Sequence, residues 1–147
     1  MIRIATISDL KGVLALYKEL RPLDPDLEVN FANEKWAEII NDTKTYVVVA
    51  EIDGELAATC ALSINNSIAN GARPFAIIEH VITADKFRRQ GLSRQVLEFS
   101  LSLAWEKECC KVMLLSGEKL QAAHSLYESV GFKSGIEKGF VIKPSTQ

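Results

Sequence analysis

Hydrophobic positions change their period several times along this 147-residue chain. Residues 2–5 alternate apolar and polar and read as a short strand. Leu10, Val13, Leu14, Ala15, Tyr17 and Leu20 then recur at helical spacing, with Thr6 or Ser8 as a cap. Pro22, Asp24 and Pro25 end that helix and open a loop. A second helix is predicted over 33–40, with Trp36, Ile39 and Ile40 on one face. Residues 46–51 form a β-branched run, Asp53-Gly54 is a hairpin signal, and 56–64 is the return strand. The loop 65–74 is rich in Asn, Gly and Pro. A strand over Phe75–Thr83 and a helix over 91–107 follow, then a buried strand over 112–115. A helix over 121–129 stops at Gly131. Residues 132–134 and 139–142 read as two last short strands.

The order β-α-α-β-β-β-α-β-α-β-β predicts an α/β (α+β) fold with a mixed sheet flanked by helices. One crossover, from Phe75–Thr83 through helix 91–107 to strand 112–115, should be parallel and right-handed. With no repeat or linker, the chain is expected to form one domain over 1–147.

Charge narrows the function. Lys and Arg number 17 against 19 Asp and Glu, a net charge of −2. Nucleic-acid binding and polybasic membrane attachment need a basic footprint that this chain lacks. No run of about 18 apolar residues is present, so no span is expected, and the N-terminus reads as mature structure rather than a signal peptide. Cys60, Cys109 and Cys110 are odd in number and form no C-x-x-C pair. They read as reduced thiols of a cytoplasmic protein, and no metal site is expected.

The informative stretch is residues 75–96, FAIIEHVITADKFRRQGLSRQV. An apolar strand ends in a turn holding Arg88, Arg89, Gln90 and Gly91, which runs straight into a helix. A helix start leaves about four N–H groups unpaired and carries about half a positive charge. That combination suits a phosphate or pyrophosphate. Gly91 brings no Cβ between backbone and ligand, Ser93 is small, and Arg94 adds charge. The plainer reading is a solvated basic turn capping a helix. Neither the Walker loop nor the G-x-G-x-x-G fingerprint fits, since only one Gly is present.

Arg88-x-x-Gly91-x-Ser93 resembles the R/Q-x-x-G-x-G/A pyrophosphate loop of the GNAT superfamily, the acyl-CoA-dependent N-acyltransferases. Ser93 stands where Gly or Ala is usual. The sequence 78–83, IEHVIT, is similar to the family's central strand, often I-E-x-V-x-V. Downstream, Ala123, Tyr127, Gly131 and Phe132 resemble the family's A-x-x-x-Y-x-x-x-G-F ending. Leu120 replaces an Asn that often helps hold the cofactor. The two motifs stand in the family's order and spacing, and the element order agrees along nearly the whole chain.

The resemblance implies acetyl-CoA as cosubstrate and an N-acetyltransferase reaction by direct attack in a ternary complex. It implies that the backbone of Val81, Ile82 and Thr83 pairs with the pantetheine arm, with an N–H near Val81 facing the thioester carbonyl. Amides across Arg89, Gln90, Gly91, Leu92, Ser93 and Arg94 would hold the pyrophosphate, with Arg88 beside them. Glu79 matches the family's frequent catalytic Glu, and burial on its strand would raise its pKa toward working pH. Otherwise Glu79 pairs with a cation or hydrogen-bonds to backbone. Tyr127 matches the tyrosine that protonates the leaving thiolate, or is a core residue of its helix.

Strand alternation puts His80 on the face opposite Glu79 unless a bulge intervenes. His80 is read as structural, and as the reserve base if the register is reversed. His124 falls on a neighbouring helix face to Tyr127. The substrate walls are expected at 21–31, 65–73 and 134–139. Asp24, Asp26 and Glu28 in the first would suit a cationic amine. The chain is small, so the expected acceptor is a small-molecule amine rather than a protein tail. A homodimer is compatible with the fold. The rival reading is a catalytically idle acyl-CoA-binding module, kept open by Leu120 and Ser93.

Overall fold

The computed structural model describes residues 1–145. Contacts divide the chain into two compact units, Met1–Leu114 and Leu115–Gln147.

The first unit is a five-stranded sheet in the order β1 (Ile2–Ile4), β2 (Thr45–Ile52), β3 (Glu55–Asn65), β4 (Phe75–Thr83), β5 (Val112–Leu114). Neighbours are antiparallel except β4 and β5, which are parallel as the crossover requires. The Asp53-Gly54 turn between β2 and β3 has φ of +50° and +80°, the left-handed pair that a tight hairpin needs. The unit's helices are α1 (Leu10–Leu20), α2 (Val29–Asn41), the single turn α3 (Ala69–Ala72) and α4 (Leu92–Glu106).

The strand period of two sorts the core onto two faces. On one, Ala5, Val13, Trp36, Val47 and Val49 cluster beneath α1 and α2. On the other, α4 covers the sheet. There the Cys60 thiol lies 3.0 Å from the Ser100 hydroxyl and donates to the Val96 carbonyl at 3.5 Å. Helix α2 starts at Val29, four residues before the start read from periodicity. The cause is a cap: the Glu28 carboxylate accepts from the Asn30 and Phe31 amides at 3.0 and 2.9 Å.

The β4–β5 ladder is short. It joins Ala76 to Val112, Ile77 to Met113 and Ile78 to Leu114, and ends there. From Glu79 onward β4 keeps β3 on one side and, among the described residues, has no strand on the other.

The second unit holds α5 (Gln121–Val130), closed by Gly131 at a φ of +112°. The Phe132 amide donates to the Tyr127 carbonyl at 3.0 Å, and the two rings meet edge to face at 6.2 Å. The strands expected at 132–134 and 139–142 do not form among the described residues. Phe140, Val141 and Ile142 are 86, 71 and 97% exposed. A run of three or four β-formers makes no strand without a partner ladder.

Candidate active site

The geometry of the site begins with a fault in β4. Ala61 of β3 faces Glu79 and Thr59 faces Ile82. Two steps on β3 therefore match three on β4, which is a β-bulge with one extra residue on β4. His80 absorbs it, at a φ of +57°. His is among the few non-glycine types enriched in that region.

The bulge overturns the expected facing of His80. Glu79 shares the α1 face through its partner Ala61. His80 is turned to the same face, where its ring meets that of Tyr17 of α1 at 5.2 Å, tilted by 52°. The His80 Nε2 stands 3.7 Å from the Glu79 Oε2, within ion-pair range. The burial expected for Glu79 is also absent: its side chain is 62% exposed, and that of His80 is 42% exposed. Tyr17 is the deep member of the group, and burial pushes its phenol up to about 12. Periodicity marks Tyr17 only as one of the positions recurring along its helix, and the one sequence signal of the bulge is the broken alternation at Glu79-His80-Val81-Ile82.

Beyond the bulge, Val81 and Thr83 are half-buried and Ile82 is buried. Their backbone forms the free edge of β4. A 3-10 turn, Asp85–Phe87, leads to Arg88, Arg89 and Gln90, all exposed. Arg89 has a φ of +66° and Gly91 a φ of +73°. Gly91 is the N-cap of α4, and the first helical bond runs from the Gln95 amide to the Gly91 carbonyl at 3.1 Å. The amides of Leu92, Ser93 and Arg94 thus lie in the turn whose donors find no acceptor within the helix.

A Cβ placed on Gly91 would meet nothing within 4 Å, so the backbone there is open to close approach. Leu92 is buried and anchors the turn. The Ser93 hydroxyl lies 2.5 Å from that of Thr83, tying the helix start to the end of β4. A small side chain at this position therefore fits, and it adds a link. Arg88 pairs with Asp85 at 3.0 Å and Arg94 with Glu98 at 2.7 Å. Arg89 has no carboxylate partner among the described residues.

In the second unit Tyr127 is half-buried on α5. The His124 Nε2 meets the Gly117 carbonyl at 2.8 Å, and Leu120 is 58% exposed. All three cysteines are free, and burial pushes the Cys60 thiol up to about 11, which makes it a poor nucleophile. No described helix is long and apolar enough to cross a membrane.

A mixed sheet that loses a neighbour halfway along β4, beside an uncapped helix start, defines the acyl-CoA-dependent N-acyltransferase fold. The model of the Acetyltransferase (GNAT) family matches residues 11–132, and the chain belongs to that family. It is accordingly an acetyl-CoA-dependent N-acetyltransferase. Glucosamine 6-phosphate N-acetyltransferase of Trypanosoma brucei brucei is 27% identical over 133 residues, covering 90% of this chain and 88% of that protein. A solved protein of Agrobacterium tumefaciens str. C58, itself an acetyltransferase by assignment only, superposes with a TM-score of 0.93. It is 36% identical and covers 98% of this chain and 99% of that one. The aminoglycoside N-acetyltransferase AAC(6′)-Iy in complex with CoA has a TM-score of 0.81 at 21% identity, covering 97% and 93%. At that identity it speaks for the fold.

Proposed function

We propose that the chain moves the acetyl group of acetyl-CoA to a primary amine of a small molecule, by direct attack in a ternary complex. The observation that carries this reading is the free β4 edge from Glu79 to Thr83, lying between the β4–β5 ladder and the open first turn of α4. The relative that acetylates glucosamine 6-phosphate supports an amine of that size.

Acetyl-CoA supplies an acyl carbon activated by a thiolate leaving group. Backbone groups of Val81, Ile82 and Thr83 hold the pantetheine arm as an added strand would be held. The N–H near Val81 donates to the thioester oxygen, a contact typically worth ~10²–10³ in rate. Amides from Arg89 through Gln90, Gly91, Leu92 and Ser93 to Arg94 hold the pyrophosphate, with Arg88 and Arg89 adding charge. Glu79 serves the proton that leaves the acceptor amine, and Tyr127 protonates the departing sulfur. The free thiols support a cytoplasmic location.

Calorimetry with acetyl-CoA tests the reading first. One-to-one binding is expected, followed by thiol release when glucosamine 6-phosphate and a panel of other amines are added. No binding at millimolar acetyl-CoA would overturn it. Tyr127→Phe should lower kcat about 10²-fold or more while leaving acetyl-CoA affinity intact. An unchanged kcat would remove Tyr127 from the mechanism.

A further inference from the structure

The acceptor amine arrives mostly protonated and must lose a proton before its lone pair can attack. A carboxylate meets that need at neutral pH when burial raises its proton affinity, and Glu79 is 62% exposed. Imidazole is matched to the task near neutrality without such help. The bulge puts one there. His80 shares the face of Glu79, keeps 42% of its side chain exposed, and is held from behind by the Tyr17 ring.

The two ring nitrogens have different surroundings. Nε2 faces the Glu79 carboxylate at 3.7 Å, while Nδ1 has no partner among the described residues. The ionisable groups beside the ring are Glu79 on β4 and Tyr17 on α1. Burial pushes the Tyr17 phenol up, so it stays neutral, and the Glu79 carboxyl is the acidic neighbour.

We propose that His80 is a catalytic residue that takes the amine proton at Nδ1, with Glu79 acting through Nε2 to stabilise the imidazolium. The proposal rests on the N-acetyltransferase reading above and deepens it. The ammonium passes one proton to Nδ1. The freed lone pair forms the C–N bond as the C–S bond breaks, and its electron pair leaves on sulfur. Sulfur takes a proton from the proposed acid, Tyr127, the nitrogen sheds its second proton to water, and water recharges the phenol. His80 then returns its proton to water. The balance is ammonium plus thioester giving amide, thiol and one proton.

The left-handed backbone at His80 offers a clean test. Glycine is at ease at a φ of +57° and leaves a gap that free imidazole can enter, and asparagine also tolerates the region. His80→Gly and His80→Asn should bind acetyl-CoA as the wild type does. Their kcat/KM should fall about 10²-fold with glucosamine 6-phosphate, or with the fastest amine of the screen in its place. Added imidazole should restore about tenfold of that loss in His80→Gly. It should do nothing for the wild type or for Tyr127→Phe.

A second readout needs no turnover. In ¹⁵N-labelled protein without acetyl-CoA, the neutral form of His80 should carry its hydrogen on Nε2, and Glu79→Gln should weaken that preference. Unchanged kcat/KM in His80→Gly would overturn the proposal. So would a loss of rate that imidazole does not rescue, which a merely structural His80 predicts, or an Nδ1–H tautomer, which leaves no lone pair on Nδ1 to take the proton. Failure of the wild type to bind acetyl-CoA would instead overturn the underlying reading, and this proposal with it.

Discussion

The two halves of β4 share a strand and little else. Residues 76–78 have strands on both sides, and Ala76 and Ile78 are fully buried. Residues 79–83 have a neighbour on one side, carry the bulge, and begin with two exposed titratable side chains. One half holds the sheet together, and the other gives up a ladder, a regular alternation and some burial. What it gains is a free backbone edge and two consecutive polar side chains on one face. A regular strand cannot provide the second, because alternation separates neighbours.

Adjacent substitutions across that boundary should therefore fail in opposite ways. Glu79→Gln keeps the shape of the side chain and removes its charge. Its kcat should fall by up to about 10²-fold, no more than the loss expected at His80 itself, while the urea midpoint stays at the wild-type value. Ile78→Ala should do the reverse. Ile78 is 1% exposed, and such a truncation costs about 2–5 kcal/mol of stability in urea titration. The protein that remains folded should still bind acetyl-CoA normally. If Glu79→Gln lowered the midpoint as far as Ile78→Ala does, the division of β4 would be wrong.

What was legible in the sequence follows the same boundary. Helix α4 announces itself by period, because it buries one face, and the paired part of β4 by an unbroken apolar run. The Asp53-Gly54 turn is legible because its φ values exclude most residues. The Arg88–Gly91–Ser93 turn is legible because its chemistry is local. The bulge is only half legible: I-E-H-V-I-T breaks alternation, with two polar residues followed by two apolar ones, but the break does not say which strand carries the extra residue. Only the count of residues against β3 reveals that, and the count belongs to the pairing. The start of α2 was misplaced because Glu28 caps the helix with a carboxylate, ahead of the apolar stripe. The last strands were misplaced because β-propensity shows that a segment can pair, not that a partner exists.

Asp9 sharpens the comparison as a carboxylate given wholly to stability. Arg3 donates to it at 2.7 and 3.0 Å, and the Thr6 amide at 2.7 Å. The Arg3 hydrogen bonds, foremost, hold the Asp9 carboxyl below its ordinary value of 3.8, against the opposing effect of burial. A carboxyl whose pKa is lower in the folded state binds fewer protons there than in the unfolded chain. Its stabilisation is therefore complete well above pH 3.8 and is lost as pH falls through the folded value. At pH 7, Asp9→Asn should cost about 1–3 kcal/mol. The gap between variant and wild type in urea midpoint should close as the pH drops below 3.8. Acetyl transfer by the folded variant should be unaffected at neutral pH. A gap that stayed constant with pH would mean that the charge of Asp9 contributes nothing.

The smallest effect tests whether the open turn at α4 belongs with the chemical half of β4. At a φ of +73°, Gly91→Val should cost about 1–2 kcal/mol, the penalty of a branched side chain in the left-handed region. It should also weaken acetyl-CoA binding about tenfold, or about 1.4 kcal/mol, by putting a side chain where the pyrophosphate is proposed to approach. Gly91→Asn separates the two causes. Asparagine accepts the left-handed conformation, so the urea midpoint should return toward wild type, yet its Cβ still stands in the open space above the turn. Affinity that remains low in a variant of restored stability would locate the effect in close approach to the backbone. Affinity that recovers together with stability would make the Gly91 turn a matter of folding, and would leave the β4 edge as the part of the site that holds acetyl-CoA.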